Sequence, residues 1–314
     1  PVRAQESFAA SVQLDAAVDQ AIRDGLIPGA VLVVGQQGRI VHRKAYGSRA
    51  LIPAREPMTV DTIFDVASLT KVIATTPALM KLFEQGKLRL NDPVTAYLPE
   101  FQGGRSDITV RDLMTHFSGL RPDLDLEPAW SGYGTGIRLA LMDKPAGPAA
   151  THFLYSDINF ILLGEIVRRL SGKPLEEYAR EQVFQPLGMS ETYFRPAQSM
   201  RPRIAPTEMG ADGEPYRGVV HDPTARFMGG AAGPTGACPS HFSTRRSSVM
   251  RSEQASMTRA VAVRGSAAIT RIRPRRETNV PNALRSPRRR MSRSGRITSN
   301  SSPSFSPSSV PRLM

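Results

Sequence analysis

The sequence predicts a mixed fold of helices and antiparallel strands (α/β, of the α+β type). Two β-rich runs, residues 30–35 and 39–46, flank Gln36-Gln37-Gly38, a pattern typical of a β-hairpin. Helical periodicity precedes the hairpin at residues 14–26, and an apolar helix is predicted at residues 158–170. The length of 314 residues is enough for one large or two ordinary domains with a sizeable core.

Three further helices are predicted from capping residues and helix breakers. They lie at Ser68–Gly86, Thr109–Gly119 and Leu175–Phe184. Pro77 predicts a kink or a break in the first of them, and Gly86 is a suitable C-cap. Thr109-Val110-Arg111-Asp112 resembles a capping box at the start of the second. Residues 186–230 are mostly loop by the same criteria.

The basic character of the chain belongs to its last quarter. The whole sequence has a net charge of +13. Residues 1–230 have a net charge of −1, whereas residues 231–314 carry 16 Arg, no Lys and 2 acids. The larger part therefore gives no reason to expect a polyanionic partner. The single cysteine, Cys238, excludes a disulfide framework and a cysteine-based metal site.

The composition changes abruptly after about Gly233. We predict one domain at residues 1–233 and an Arg/Ser/Pro-rich disordered tail at residues 234–314. Our hypothesis is that the tail is a shifted-frame translation of a GC-rich coding sequence, which resequencing the gene would test. The late strands of the sheet would then be missing, the hairpin would expose an edge, and the chain would be poorly stable and weakly active.

Ser68 and Lys71 are the candidate catalytic pair. Three residues apart at the start of a helix, they share one face of it. An amine in this position takes the proton of a serine hydroxyl and so makes it nucleophilic, provided that its surroundings favour the neutral amine. The alternative is a serine near a helix start followed by a surface lysine. The nearly uncharged helix that follows favours a buried site.

Tyr155 and Asp157 form a second candidate group, between a loop and the apolar helix that follows. A phenol beside a lysine and a serine relays protons as acid or base. The alternative for Tyr155 is a packed aromatic ring at a helix entrance. For Asp157 a structural role as N-cap is an equal alternative to a substrate contact.

In order along the chain, these motifs resemble the serine β-lactamase-related hydrolases, the group of class C β-lactamases, D-Ala-D-Ala carboxypeptidases and esterases. The resemblance covers residues 10–233 and rests on Phe64–Lys71, Ile108–Leu120, Phe153–Asp157 and Pro186–Met189. It implies an antiparallel sheet flanked by helices with an all-helical subdomain beside it and the site between them. It also implies Ser68 as acylated nucleophile, Lys71 as base and Tyr155 as proton relay to the leaving group.

The same resemblance implies a small-molecule or peptidoglycan-derived substrate and no metal or organic cofactor. A wall-active enzyme would be periplasmic or secreted. The sequence contains no run of 18 apolar residues that would predict a transmembrane helix. The chain begins at Pro1 without methionine, which suggests a fragment or a processed form.

Two positions depart from the pattern of the family. Its second motif usually reads Tyr-x-Asn, but Asp157 occupies the third position here, and an ionised acid cannot donate the hydrogen bond of an amide. The third motif, Lys or His followed by Thr or Ser and Gly, is not found on a predicted strand. Pro234-Thr235-Gly236 lacks the basic residue, and Arg293-Ser294-Gly295 lies in an Arg/Ser run. These departures put the substrate and the activity of this chain in question.

The function that the resemblance implies first is hydrolysis of an amide or ester, either a peptide or amide of peptidoglycan or a β-lactam. Three other functions compete with it. One is a simple esterase, and another is a catalytically impaired relative that still binds wall peptides. The third is nucleic-acid binding through Arg288-Arg289-Arg290 and its neighbours. The tail has only two aromatic residues, Phe242 and Phe305, so we do not expect a nucleic-acid partner.

Overall fold

A small antiparallel sheet and a larger group of helices make up the described part of the chain. The computed structural model describes residues 9–103, 107–231, 233 and 238–239. Its strands are β1 Gly29–Gln36, β2 Arg39–Ala50, β3 Glu56–Pro57, β4 Thr192–Tyr193 and β5 Cys238–Pro239. Its α-helices are α1 Ser11–Arg23, α2 Thr76–Glu84, α3 Val110–Thr115, α4 Tyr133–Met142, α5 Asp157–Ser171, α6 Leu175–Ala179 and α7 Pro223–Phe227.

The predicted β-hairpin is present. β1 and β2 pair in antiparallel register, from Gln36 opposite Arg39 at the turn to Gly29 opposite Gly47. Two residues with positive φ make the turn, as tight hairpin turns require: Gln37 at 50° and Gly38 at 72°. β3 extends the sheet on the other side of β2. Within the described residues, β1 is therefore an edge strand.

The core lies among the helices rather than under the sheet. α5 is its centre, because ten consecutive residues from Ile158 to Val167 are buried, and α2, α4 and α6 pack against it. By contrast, no residue of β1 or α1 is buried. Most of the buried core therefore lies around α5.

The predicted helix from Ser68 is divided into three helical types. A 3-10 turn at Ala67–Leu69 leads into a π-helical turn at Lys71–Thr75, and only then does α2 begin. Pro77 lies in the first turn of α2, where its missing N–H costs nothing. The predicted kink is therefore a change of helix type. The chain leaves α2 at Gly86, which has a φ of 69°.

The capping predictions are confirmed for α3 and sharpened for α5. Thr109 and Asp112 form a reciprocal capping box, and α3 ends at His116 in the left-handed conformation with a φ of 62°. The N-cap of α5 is Ser156, whose hydroxyl accepts from the N–H of Asn159. Asp157 is thus free of the capping role that the sequence left open for it.

Two contacts involve residues at and after the predicted domain boundary. The Thr75 hydroxyl donates a hydrogen bond of 2.5 Å to the carbonyl oxygen of Gly233, and β5 pairs with β4. The predicted tail apart from residues 238–239 lies outside the described residues, and this includes Arg288-Arg289-Arg290 and both candidate third motifs. No described helix has the length and apolar character needed to cross a membrane.

Candidate active site

Ser68 lies on an exposed 3-10 turn that is held by side-chain hydrogen bonds. Ala67, immediately before it, has a φ of 45°, an uncommon value for a residue with a Cβ. Asp65 Oδ1 accepts from the Ala67 N–H at 2.7 Å, and the Thr70 hydroxyl donates to the Ala67 carbonyl oxygen at 2.7 Å. Asp65 Oδ2 also accepts from the N–H of His221 at 2.9 Å. These bonds stabilise the backbone that presents Ser68.

Lys71 is buried behind Ser68. Its side chain is 4% exposed, and its Nζ donates to Ser68 Oγ at 3.0 Å. The same Nζ lies 2.6 Å from Asp157 Oδ1, 4.8 Å from the centre of the Tyr155 ring and 5.6 Å from that of Phe160. An ammonium over aromatic faces is attracted by their π electrons. Lys71 therefore joins the helix start of Ser68 to the start of α5.

Tyr155 lies at the edge of this group, and His116 holds it there. Tyr155 is 42% exposed, and its ring stacks on the imidazole of His116 with centroids 4.4 Å apart. His116 Nδ1 accepts from the N–H of Ser156 at 3.0 Å, and Ser156 Oγ donates to the Arg121 carbonyl oxygen at 2.5 Å. The structure thus brings the face of the Tyr155 ring to the Lys71 ammonium, and hydrogen bonds to His116 and Arg121 hold the neighbouring Ser156.

Burial favours the neutral form of His116. Desolvation, and then the nearby Lys71 cation, lower the pKa of His116. The imidazole is therefore neutral at neutral pH, and its Nδ1 is free to accept the Ser156 N–H. These contacts give His116 a structural role at the start of α5.

Asp157 contacts Lys71 and a backbone carbonyl group. It is the first residue of α5, and its N–H donates to the Pro122 carbonyl oxygen at 2.6 Å. Its carboxylate is 16% exposed and forms the ion pair with Lys71. An asparagine in this position would carry no charge, so the departure from the usual motif alters the electrostatics around Lys71.

Two further carboxylates lie beside Asp157 and were not predicted. One oxygen each of Asp123, Asp157 and Asp222 lie within 4.8 Å of one another, and this is the one group of carboxylates in the described residues close enough to share a cation. The cation against this group is the Lys71 ammonium. Burial raises the pKa of Asp123 to about 6 and also raises the pKa of Asp222. Neither residue lies in a recognisable motif, so no sequence signal marked them.

The fold and this site define a protein of the serine β-lactamase and transpeptidase fold. The family model described as Beta-lactamase matches residues 14–268. The chain therefore belongs to the β-lactamase family, whose members are hydrolases. The matched range extends beyond Gly233.

Similar proteins include two peptidoglycan-related enzymes and a β-lactamase. A putative D-alanyl-D-alanine carboxypeptidase of Escherichia coli K12 is 31% identical, over 68% of this chain and 54% of its own length. An N-acetylmuramyl-L-alanine amidase of Bacillus subtilis is 36% identical, over 71% of this chain and 58% of its own length. A class C β-lactamase from Rhodobacter sphaeroides superposes with a TM-score of 0.60 at 25% identity, over 73% of this chain and 62% of the other. The chain thus spans little more than half the length of these curated relatives.

Proposed function

We propose that the chain is a serine hydrolase that forms an acyl-enzyme on Ser68, with Lys71 as base and Tyr155 as proton relay. The observation that carries this proposal is the hydrogen bond of 3.0 Å between the buried Lys71 Nζ and Ser68 Oγ. The ring of Tyr155 lies against the same ammonium. A nucleophile, a group that takes its proton and a third group beside that base are the parts that acyl transfer needs.

The proposed reaction has two steps. Ser68 Oγ attacks the carbonyl carbon of an amide or ester while Lys71 takes the hydroxyl proton. Tyr155 passes a proton to the leaving amine or alcohol, and the bond from carbon to the leaving group breaks. Water then attacks the ester on Ser68, and its proton returns through the same groups, which restores the serine and releases the acid. Each proton transfer uses a group of this chain.

For the substrate, we propose an amide of peptidoglycan, either a peptide bond or the amide that joins the peptide to the sugar. The names of the two curated relatives support this class, and the β-lactam ring is an amide of the same reactivity type. Asp157 remains a candidate substrate contact: with one oxygen against Lys71, the carboxylate accepts from an N–H of the substrate. A wall substrate places the protein in the periplasm or outside the cell.

Covalent labelling with a fluorescent penicillin or a fluorophosphonate tests the proposal. The chain is expected to be labelled, and Ser68→Ala is expected to abolish labelling. Ser131→Ala, at an exposed serine away from the site, is the matched control and should label like the parent. Labelling that survives Ser68→Ala contradicts the proposal.

Substrate assays separate the remaining alternatives. Release of D-alanine or of free peptide from purified muropeptides supports the peptidase or amidase function. Hydrolysis of p-nitrophenyl acetate alone supports a simple esterase. Binding of muropeptides without labelling supports an impaired wall-binding relative, and salt-sensitive binding of DNA without labelling supports the basic-tail function.

A further inference from the structure

Asp123, Asp157 and Asp222 come from three separate elements that meet beside Lys71. Asp123 lies in the loop before α4, Asp157 begins α5, and Asp222 is the N-cap of α7. The Thr224 hydroxyl donates to Asp123 Oδ2 at 2.9 Å, which joins α7 to the loop. The Asp157 N–H donates to the carbonyl oxygen of Pro122, the residue before Asp123, at 2.6 Å. The three carboxylates are thus held together by the fold rather than meeting by chance.

The charges of this group do not balance when every acid is ionised. Among the described residues, three carboxylates lie beside one ammonium, that of Lys71, which pairs with Asp157. Other titratable groups next to this cluster are the phenol of Tyr155, whose ring lies against Lys71, the carboxylate of Asp65, which accepts from the N–H of His221, and two imidazoles. His116 is held neutral by burial, and His221 lies 3.2 Å from Glu208, which offers it a separate carboxylate. A half-buried site with excess negative charge favours retaining a proton.

We propose that Asp123 and Asp222 are positioning residues for the reaction, which act through Asp157 by setting the negative charge against Lys71. Each of them, when ionised, stabilises the ammonium form of Lys71 and so raises the pH at which neutral Lys71 takes the Ser68 proton. When one is protonated or removed, Lys71 loses its proton more easily. The inference rests on the proposed role of Lys71 as base.

Within this group of three carboxylates, Asp123 gains or loses its proton close to neutral pH. Its pKa is raised to about 6, first by burial and then by the neighbouring acids, although Leu124 N–H and the Thr224 hydroxyl donate to it and lower it in part. Burial raises the pKa of Asp222 as well, and the N–H of Ala225, which donates to Asp222 Oδ1 at 2.6 Å, lowers it only in part. Proton exchange on Asp123 therefore alters the charge near Lys71 close to neutral pH.

The test is the pH profile of Ser68 labelling by a fluorophosphonate in the full chain. In Asp123→Asn and in Asp222→Asn, the acid limb is expected to move to lower pH by about one pH unit, as expected for loss of one partly screened charge several ångströms from Lys71. Asparagine is also a good N-cap, so Asp222→Asn should keep α7. Asp125→Asn is the matched control: Asp125 is exposed on the same loop, pairs with Arg121, and should leave the profile unchanged.

A profile of Asp123→Asn that superimposes on the parent, in protein that unfolds cooperatively, overturns the inference. An equal shift in Asp125→Asn overturns it too, because the effect would then be general. A direct NMR titration of the Lys71 side chain, assigned with Lys71→Arg, separates this inference from the proposed function. If the parent is never labelled, the proposed function fails, and the titration alone decides: a midpoint lowered in Asp123→Asn supports the coupling, and an unchanged midpoint contradicts it.

Discussion

His116 Nδ1 accepts a hydrogen bond from the backbone N–H of Ser156 at 3.0 Å. This bond fixes the one residue between Tyr155 and Asp157, the two members of the site that come from the start of α5. The His116 carbonyl oxygen also accepts from the N–H of Leu154 at 2.9 Å. His116 thus holds the backbone that carries the Tyr155 phenol and the Asp157 carboxylate, because its two hydrogen bonds restrain the residues on either side of Tyr155.

We expect the stability of the chain to depend on pH through His116. The pKa of His116 is 6.5 in the unfolded chain and lower in the folded chain, so below pH 6.5 the unfolded chain binds more protons than the folded chain. The contribution of His116 is therefore complete above pH 6.5 and is lost as the pH falls from 6.5 through the folded pKa. His116→Gln keeps an acceptor for the Ser156 N–H but cannot titrate.

Urea unfolding at pH 5 and pH 7.5 measures this effect as a difference between parent and variant. The parent is expected to lose more stability than His116→Gln on moving to pH 5, since Asp123 and Asp222 titrate alike in both. His152→Gln, at an exposed histidine, is the control and should behave like the parent. Equal losses in the parent and in His116→Gln would contradict the prediction.

Removing Lys71 alone should cost stability. Lys71→Met leaves the carboxylate of Asp157 without the cation that lies 2.6 Å away, and breaking such a buried pair costs about 3 kcal/mol. The double variant Lys71→Met/Asp157→Asn removes both charges and is expected to recover most of that loss. Denaturant midpoints of the two single variants and the double variant give the coupling energy. A double variant no more stable than Lys71→Met would show that the pair does not matter.

Gly233→Ala tests how tightly the last residues before the predicted tail are held. A Cβ at this position would lie 2.1 Å from the carbonyl oxygen of Phe160, and the φ of Gly233 is 91°. The steric clash adds to the strain of positive φ, so we expect a loss of at least about 2 kcal/mol.

Gly229→Ala is the matched control for this substitution. Gly229 has a φ of 93°, but a Cβ there meets no atom within 4 Å. Gly229→Ala should therefore lower the free energy of unfolding only by the backbone strain, roughly 1 kcal/mol. Thermal unfolding measures both variants, and equal losses would mean that Gly233 does not pack against α5 in solution.

The capping box of α3 should contribute to stability in the ordinary way. Thr109→Ala removes the hydroxyl that accepts from the Asp112 N–H at 3.2 Å, and the expected loss is about 1 kcal/mol. Thr115→Ala changes an exposed threonine of the same helix and should cost nothing, since alanine has the higher helix propensity. Chemical denaturation of the two variants compares them directly.

Much of the local structure could be predicted because it depends on near neighbours. The hairpin turn at Gln37-Gly38, the capping box and the limits of α5 follow from turn chemistry and from apolar spacing within a few residues. The single helix from Ser68 was predicted only in part. Lys71 reaches Ser68 as the spacing predicts, but the π-helical turn between Lys71 and α2 has no sequence signal of its own.

The sequence by itself determined that a serine, a lysine and, further on, a tyrosine and an acid would be available, because motifs record residue types and short spacings. Only the tertiary structure decided which groups the Asp157 carboxylate contacts. Packing of the loop before α4, the start of α5 and the start of α7 places Asp123 and Asp222 beside it and Lys71 against it. Such contacts join segments far apart in the chain, and their geometry depends on the whole core rather than on any local pattern.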